Sequence, residues 1–167
     1  PTILRRQRQM CIRDSNEISI SAVVDSVTCK GDQNGSITVN VTGGTPGYSY
    51  QWSNSNFLLS TTSATIDSIP GGIYSLIVTD LNNCENSDSY NLYEPPLMSG
   101  SLEVIQITCP GADNGEISST VTGGNSTNYI YNWSNGESSA DINNLPANEY
   151  ILIASDYKGC NLSLIHI

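Results

Sequence analysis

Histidine, phenylalanine and basic residues are almost missing from this chain. It has one His, one Phe and six Lys or Arg among 167 residues. The single histidine, His166, stands next to last, so no Ser–His–Asp or Cys–His arrangement can be assembled from the rest. No glycine-rich loop leads into a helix, which removes the phosphate cradles. Four of the six basic residues crowd into the start, at Arg5, Arg6, Arg8 and Arg13. From Asn16 to Asn161 there are 15 acidic residues against 2 basic ones, a net of −13. A surface of that sign repels nucleic acid and anionic lipid, so neither is expected as a partner, nor is membrane insertion.

What remains is rich in Ser, Thr, Asn, Gly, Val, Ile and Tyr. β-branched and aromatic residues favour strands, and Asn and Gly favour turns, so the composition is poor for helices. One stretch occurs twice: VTCKGDQNGSITVNVTGGTPGYSYQWSN from Val27 and ITCPGADNGEISSTVTGGNSTNYIYNWSN from Ile107. About eighty residues separate the copies, so each repeat is the size of a small domain.

The two ends match nothing inside the repeats. Arg5–Ser15 reads RRQRQMCIRDS and Leu162–Ile167 reads LSLIHI. Both resemble translations of a transposon-end sequencing adapter, read on opposite strands. Residues 1–15 and 162–167 are therefore expected to be translated adapter, the first segment disordered. No apolar run follows Ser15 to make the basic head a targeting segment. The expected domains are 16–96 for the first repeat and 97–161 for the second, which lacks a last strand.

Within a repeat, apolar residues alternate. Ile37, Val39 and Val41 share one face, and Tyr48, Tyr50 and Trp52 share another. Further strands are expected at 16–27, 64–69, 74–80 and 85–93. Asn34-Gly35 reads as a turn, and Gly43–Gly47 as a hairpin-type connection. Ile69-Pro70-Gly71-Gly72-Ile73-Tyr74 recurs as Leu145-Pro146-Ala147-Asn148-Glu149-Tyr150. An aliphatic residue, a proline, a small turn and a Tyr fit a tyrosine corner, or a core tyrosine with no special bond. The fold expectation is all-β: two tandem immunoglobulin-like β-sandwich repeats.

Cys29 and Cys84 frame the first repeat; Cys109 and Cys160 frame the second. Neither spacing suits zinc or a CxxC redox pair. Small sandwiches have marginal cores, and a crosslink closing about fifty residues contributes roughly 3–4 kcal/mol in the chain-entropy model. Disulfides Cys29–Cys84 and Cys109–Cys160 are expected, in an extracellular setting. This pairing requires only one strand between the Trp52 and Tyr74 strands, so that both cysteines of a repeat reach the same end.

No catalytic residue and no cofactor are expected. Asp32, Asp80, Asp113, Asp156 and Glu94 are candidate calcium ligands, with solvated turn residues the plainer reading. The Tyr–Tyr–Trp stripes read as core, or as sugar-stacking faces if Trp52 and Trp133 point outward.

The order V/I-T-C, G-x-x-N-G, V-T-G-G, Y-x-Y-x-W-S-N, L/I-P-x-x-x-Y, D-x-x-x-C resembles the SprB repeat of cell-surface adhesins from gliding bacteria, over Asn16–Asn161. The resemblance implies a long, secreted, surface-attached protein built from many repeats, with roles in adhesion and gliding. Its partners would be neighbouring repeats and an extracellular surface or glycan. The family offers no functional residue to carry over. The second reading is a carbohydrate-binding or non-catalytic stalk module of a secreted multidomain enzyme.

Overall fold

The computed structural model describes residues 16–54, 57–59 and 62–166. The expected disorder of residues 1–15 lies outside them. The chain divides into two units. The first runs up to Val27 and resumes over Gly31–Glu94; the second joins Thr28–Lys30 to the chain from Pro95 on.

In the first unit, β1 (Ser19–Asp25), β2 (Gly35–Thr42) and β5 (Thr65–Ile69) form one sheet in the order β1-β2-β5. The short β4 (Phe57–Leu58), β3 (Ser49–Asn54), β6 (Gly72–Thr79) and β7 (Glu85–Leu92) form the other, in the order β4-β3-β6-β7. Every pairing is antiparallel. Ile37, Ile66, Trp52 and Leu76 meet between the sheets. The alternation along β2 and β6 puts every second side chain inward, and Ile37, Trp52, Tyr74, Leu76 and Val78 lose all contact with solvent.

The second unit repeats this plan. Strands β8 (Ser99–Ile105), β9 (Gly115–Thr122) and β11 (Asp141–Leu145) make one sheet. Strands β10 (Ile130–Trp133), β12 (Tyr150–Ser155) and β13 (Asn161–His166) make the other. Among the described residues a single strand, β11, separates the Trp133 and Tyr150 strands. These are two tandem immunoglobulin-like sandwiches.

Three local expectations are corrected. First, Gly43–Gly47 is no hairpin, because β2 and β3 lie in different sheets. Gly43 and Gly44 adopt φ of 76° and 61°, a left-handed pair that swings the chain from one sheet to the other. Second, Asn34-Gly35 is no tight turn: Gly35 already pairs with Ile69 in β2, and a side chain there would overlap Leu92. Third, the second unit does have a last strand. Asn161–His166 pairs with β12 along its whole length, from Ser155↔Asn161 to Tyr150↔His166. The physical reason is its alternation: Leu162, Leu164 and His166 are half-buried while Asn161, Ser163 and Ile165 are exposed. An open strand edge accepts a segment with that period.

Candidate functional site

The most ordered chemistry in each unit is a buried carboxylate beneath the glycine pair. Asp80 follows β6, and Asp156 follows β12; both are almost fully buried. Asp80 Oδ1 accepts the backbone N–H of Asn82 at 2.8 Å and of Cys84 at 2.9 Å. Its Oδ2 accepts the N–H of Thr45 at 2.9 Å. Asp156 does the same work. Oδ1 takes Lys158 N at 2.9 Å and Cys160 N at 3.0 Å, and Oδ2 takes Asn125 N at 2.7 Å and Asn125 Nδ2 at 2.9 Å. One carboxylate thus ties the β6–β7 turn to the glycine crossing between sheets. A Cβ at Gly44 would stand 3.0 Å from Asp80 Oδ2, and one at Gly124 2.7 Å from Asp156 Oδ2. The V-T-G-G and D-x-x-x-C motifs are therefore two halves of a single contact.

Burial alone would raise the pKa of both acids. The converging N–H groups of Thr45, Cys84 and Asn82 outweigh it and hold Asp80 below the usual carboxylate range. Asp156 is lowered in the same way, against its burial, by the Asn125 backbone and side chain and by the N–H groups of Cys160 and Lys158. Both acids therefore stay ionised at neutral pH with their oxygens already engaged.

That engagement answers the calcium reading. Among the described residues no three His, Cys, Asp or Glu side chains gather as a metal site. Asp80 and Asp156 point their oxygens at N–H donors, and Glu94 accepts the N–H of Gly31 at 2.9 Å. The candidate ligands Asp32, Asp80, Asp113, Asp156 and Glu94 do not fit a shared ion.

The cysteines depart from the expected pairing. Cys29 is bonded to Cys160, with Cα atoms 5.5 Å apart and 131 residues between them in sequence. Cys109 is exposed and free, so the Cys109–Cys160 disulfide does not form. The segment Thr28–Lys30 groups with the second unit, which also holds Cys160. Asn125 Nδ2 donates to the carbonyl of Thr28 at 2.8 Å and fixes that segment there. Cys84 is not a free thiol. A sulfur forms one disulfide, so for Cys29 the bond to Cys160 competes with the expected bond to Cys84. One strand between Trp133 and Tyr150 was thus not sufficient to pair the cysteines of the second repeat.

The aromatic stripes are structural. Trp52 is fully buried and Trp133 is 4% exposed. Their indole N–H groups donate to Ser63 O and Ser139 O, both at 2.9 Å. Tyr129 donates to Gly123 O at 2.8 Å, and Tyr48 to Gly43 O, so each stripe begins by pinning the glycine crossing. The tyrosine corners are formed: Tyr74 donates to Pro70 O at 2.8 Å and Tyr150 to Pro146 O at 3.0 Å. The sequence reading missed the Tyr48 and Tyr129 pins and the role of the two aspartates. The recurrence of one acid directly after an apolar strand, in both copies, was the available signal.

A family model described as the SprB repeat matches residues 21–57 and 101–138. No curated protein matches. Among solved structures, the full ectodomain of mouse nectin-like molecule 4 aligns over 89% of this chain and 62% of its own, at 14% identity and a TM-score of 0.46. The N-terminal eight immunoglobulin domains of Down syndrome cell adhesion molecule align over 89% of this chain and 24% of theirs, at 14% identity and a TM-score of 0.49. The chain thus spans less than two thirds of either structure. The SprB matches fall one in each of the two tandem sandwiches, and over those two stretches the chain is similar to the SprB repeat.

Proposed function

We propose that this chain is a structural and adhesive segment of a secreted bacterial cell-surface protein, in which repeats are multiplied to extend a binding surface. The carrying observation is the pair of SprB matches, each on its own sandwich. The chemistry that recurs in both units goes into holding each unit's own loops. The buried aspartates cap backbone N–H groups, the tyrosines pin turns, and the tryptophans fill cores. Modules of this kind act by number: linked weak contacts add as avidity, and a stalk of sandwiches projects whatever lies at its tip. A role in gliding, and export through a dedicated secretion route, follow from the family resemblance and belong to the same proposal. We read the chain as non-catalytic, since its motifs are used up in structure.

The test is surface display. Antibodies raised against this chain should label intact, unpermeabilised source cells and reduce their attachment to a solid surface. Labelling only after permeabilisation would overturn the proposal. The carbohydrate-binding alternative needs Trp52 and Trp133 on an outer face, and both are buried. Glycan-array binding lost on mutating exposed Tyr157, with the fold intact, would revive it in another form.

A further inference from the structure

The disulfide Cys29–Cys160 lies within the second unit, which takes the segment Thr28–Lys30 from between β1 and β2. Both sides of the bond are held by their surroundings. Cys160 donates its N–H to Asp156 Oδ1 at 3.0 Å, and its carbonyl accepts the N–H of Asp156 at 3.0 Å. Asn125 Nδ2 donates to Thr28 O, next to Cys29, at 2.8 Å and to Asp156 Oδ2 at 2.9 Å. It also stands 3.4 Å from Cys160 Sγ. In the first repeat Thr45 takes the place of Asn125 and gives Asp80 its backbone N–H. The second repeat thus has a side-chain amide set between the carbonyl before one cysteine and the carboxylate that holds the other.

The bond joins residues 131 apart in sequence, and what it encloses decides what it can do. Tension follows the shortest covalent path. Applied to the two ends of the chain, it runs to Cys29, crosses the two sulfurs and leaves through Cys160. Strands β2 to β12 lie inside the closed loop. So do both tyrosine corners, both buried aspartates and the joint Glu94-Pro95-Pro96. Strands β1 and β13 lie outside it. Bonds closed within each repeat, Cys29–Cys84 and Cys109–Cys160, would instead leave β7, β8 and the joint on the path. Forced unfolding is set by the unfolding rate under tension, and residues inside a closed loop carry none.

We propose that Cys29–Cys160 is a mechanical clamp: one covalent bond that takes tension off the cores of both sandwiches and the joint, and returns it to them on reduction. The clamp rests on the stalk reading for its use, and on the connectivity of the chain for its existence.

The experiment stretches single molecules of this chain between handles at its two ends, with and without dithiothreitol. At forces that unfold β-sandwiches, reduction should lengthen the contour by the whole loop, 131 residues at ~3.3–3.6 Å each, or about 430–470 Å. Oxidised Cys109→Ser should keep the short contour, because Cys109 is free. The double variant Cys29→Ser with Cys160→Ser should lose it without reductant. The reductant arm uses the natural chain, so a misfolded variant cannot mimic the result. A reduced chain that stays short, or an oxidised chain that already extends as far as the reduced one, would overturn the clamp. So would Cys109→Ser lengthening the oxidised chain, since the bonds would then close within each repeat. Surface labelling of cells reads the stalk proposal separately: failure of the clamp in the tether leaves labelling unchanged, and absent labelling leaves the tether result unchanged.

Discussion

The two sandwiches share a strand plan and a set of pins, yet they bury unequal cores. The first closes over a single cluster from Ile18 to Leu92. The second splits into a cluster around Ile117, Trp133 and Leu152 and a smaller one around Met98, Ala154 and Cys160. At the place of the buried Val39, the second unit has Ser119, which is half-buried and donates to Ala140 O at 2.7 Å. The difference teaches that the polar staples, not the apolar packing, are the constant part of the module. Asp80 and Asp156 make matching bonds while the residues around them change size.

The strongest way to test that comparison is to remove a staple. Asp80→Ala or Asp156→Ala strands three backbone N–H groups that each held a charged acceptor. Hydrogen bonds to charged groups are worth about 1.5–3 kcal/mol apiece, and partial rehydration offsets some of the loss. We expect each substitution to cost its unit about 4 kcal/mol in chemical denaturation, with the other unit unaffected. A loss under about 1 kcal/mol would show the staple to be ornamental. Acid should act on the same groups. Both folded-state pKa values lie below the unfolded value of about 3.9, so their contribution is complete above that pH and is lost as pH falls through the folded values. Acid unfolding should therefore begin below about pH 4, and Asp80→Asn should flatten that dependence in the first unit.

The next test makes the better unit resemble the poorer one. Leu92→Ala removes a fully enclosed side chain and should cost the first unit about 3 kcal/mol. In the native chain, hydrogen exchange should be slower in the first unit than in the second. After Leu92→Ala the gap should close. Equal protection in the native chain would contradict the comparison, because the divided core and Ser119 would then carry no cost.

Much of this plan was legible in the sequence. Period-two alternation located β2 and β3, the short runs between turns located β5, β6 and β7, and the Pro-x-x-x-Tyr spacing marked both corners. Three features were not legible, each for a physical reason. Alternation shows that a strand has an inner face but not which sheet owns it, so the Gly43–Gly44 crossing read as a hairpin. Strand parity says at which end a cysteine lies but not which cysteine reaches it, so the competitor for Cys160 went unseen. And the tail LSLIHI was set aside for its origin, although a strand edge responds only to its pattern. Whatever encodes it, the segment has the period β12 needs.

Smaller effects are expected at the corners. Tyr74→Phe and Tyr150→Phe each delete one hydroxyl bond to a proline carbonyl and leave the ring in place. Each should cost about 1 kcal/mol, the net worth of a neutral hydrogen bond. Similar costs in both units would confirm that the pins are equivalent even where the cores are not. A much larger cost in the second unit would mean that its smaller core leans more on the corner.

The smallest effect should come from Cys109, the free cysteine among the described residues. Cys109 occupies in the second repeat the place of Cys29 in the first, yet it is an exposed thiol while Cys29 is crosslinked. Alkylation without reductant should modify Cys109 fully and leave Cys160 protected, as read by peptide mapping. Because the thiol is exposed and donates to the neighbouring Thr108 hydroxyl at 3.8 Å, capping it should shift stability by less than about 0.5 kcal/mol. Recovery of a Cys109–Cys160 peptide would reverse the assignment. The second unit would then close on itself, and Cys29 would lose the partner it has here.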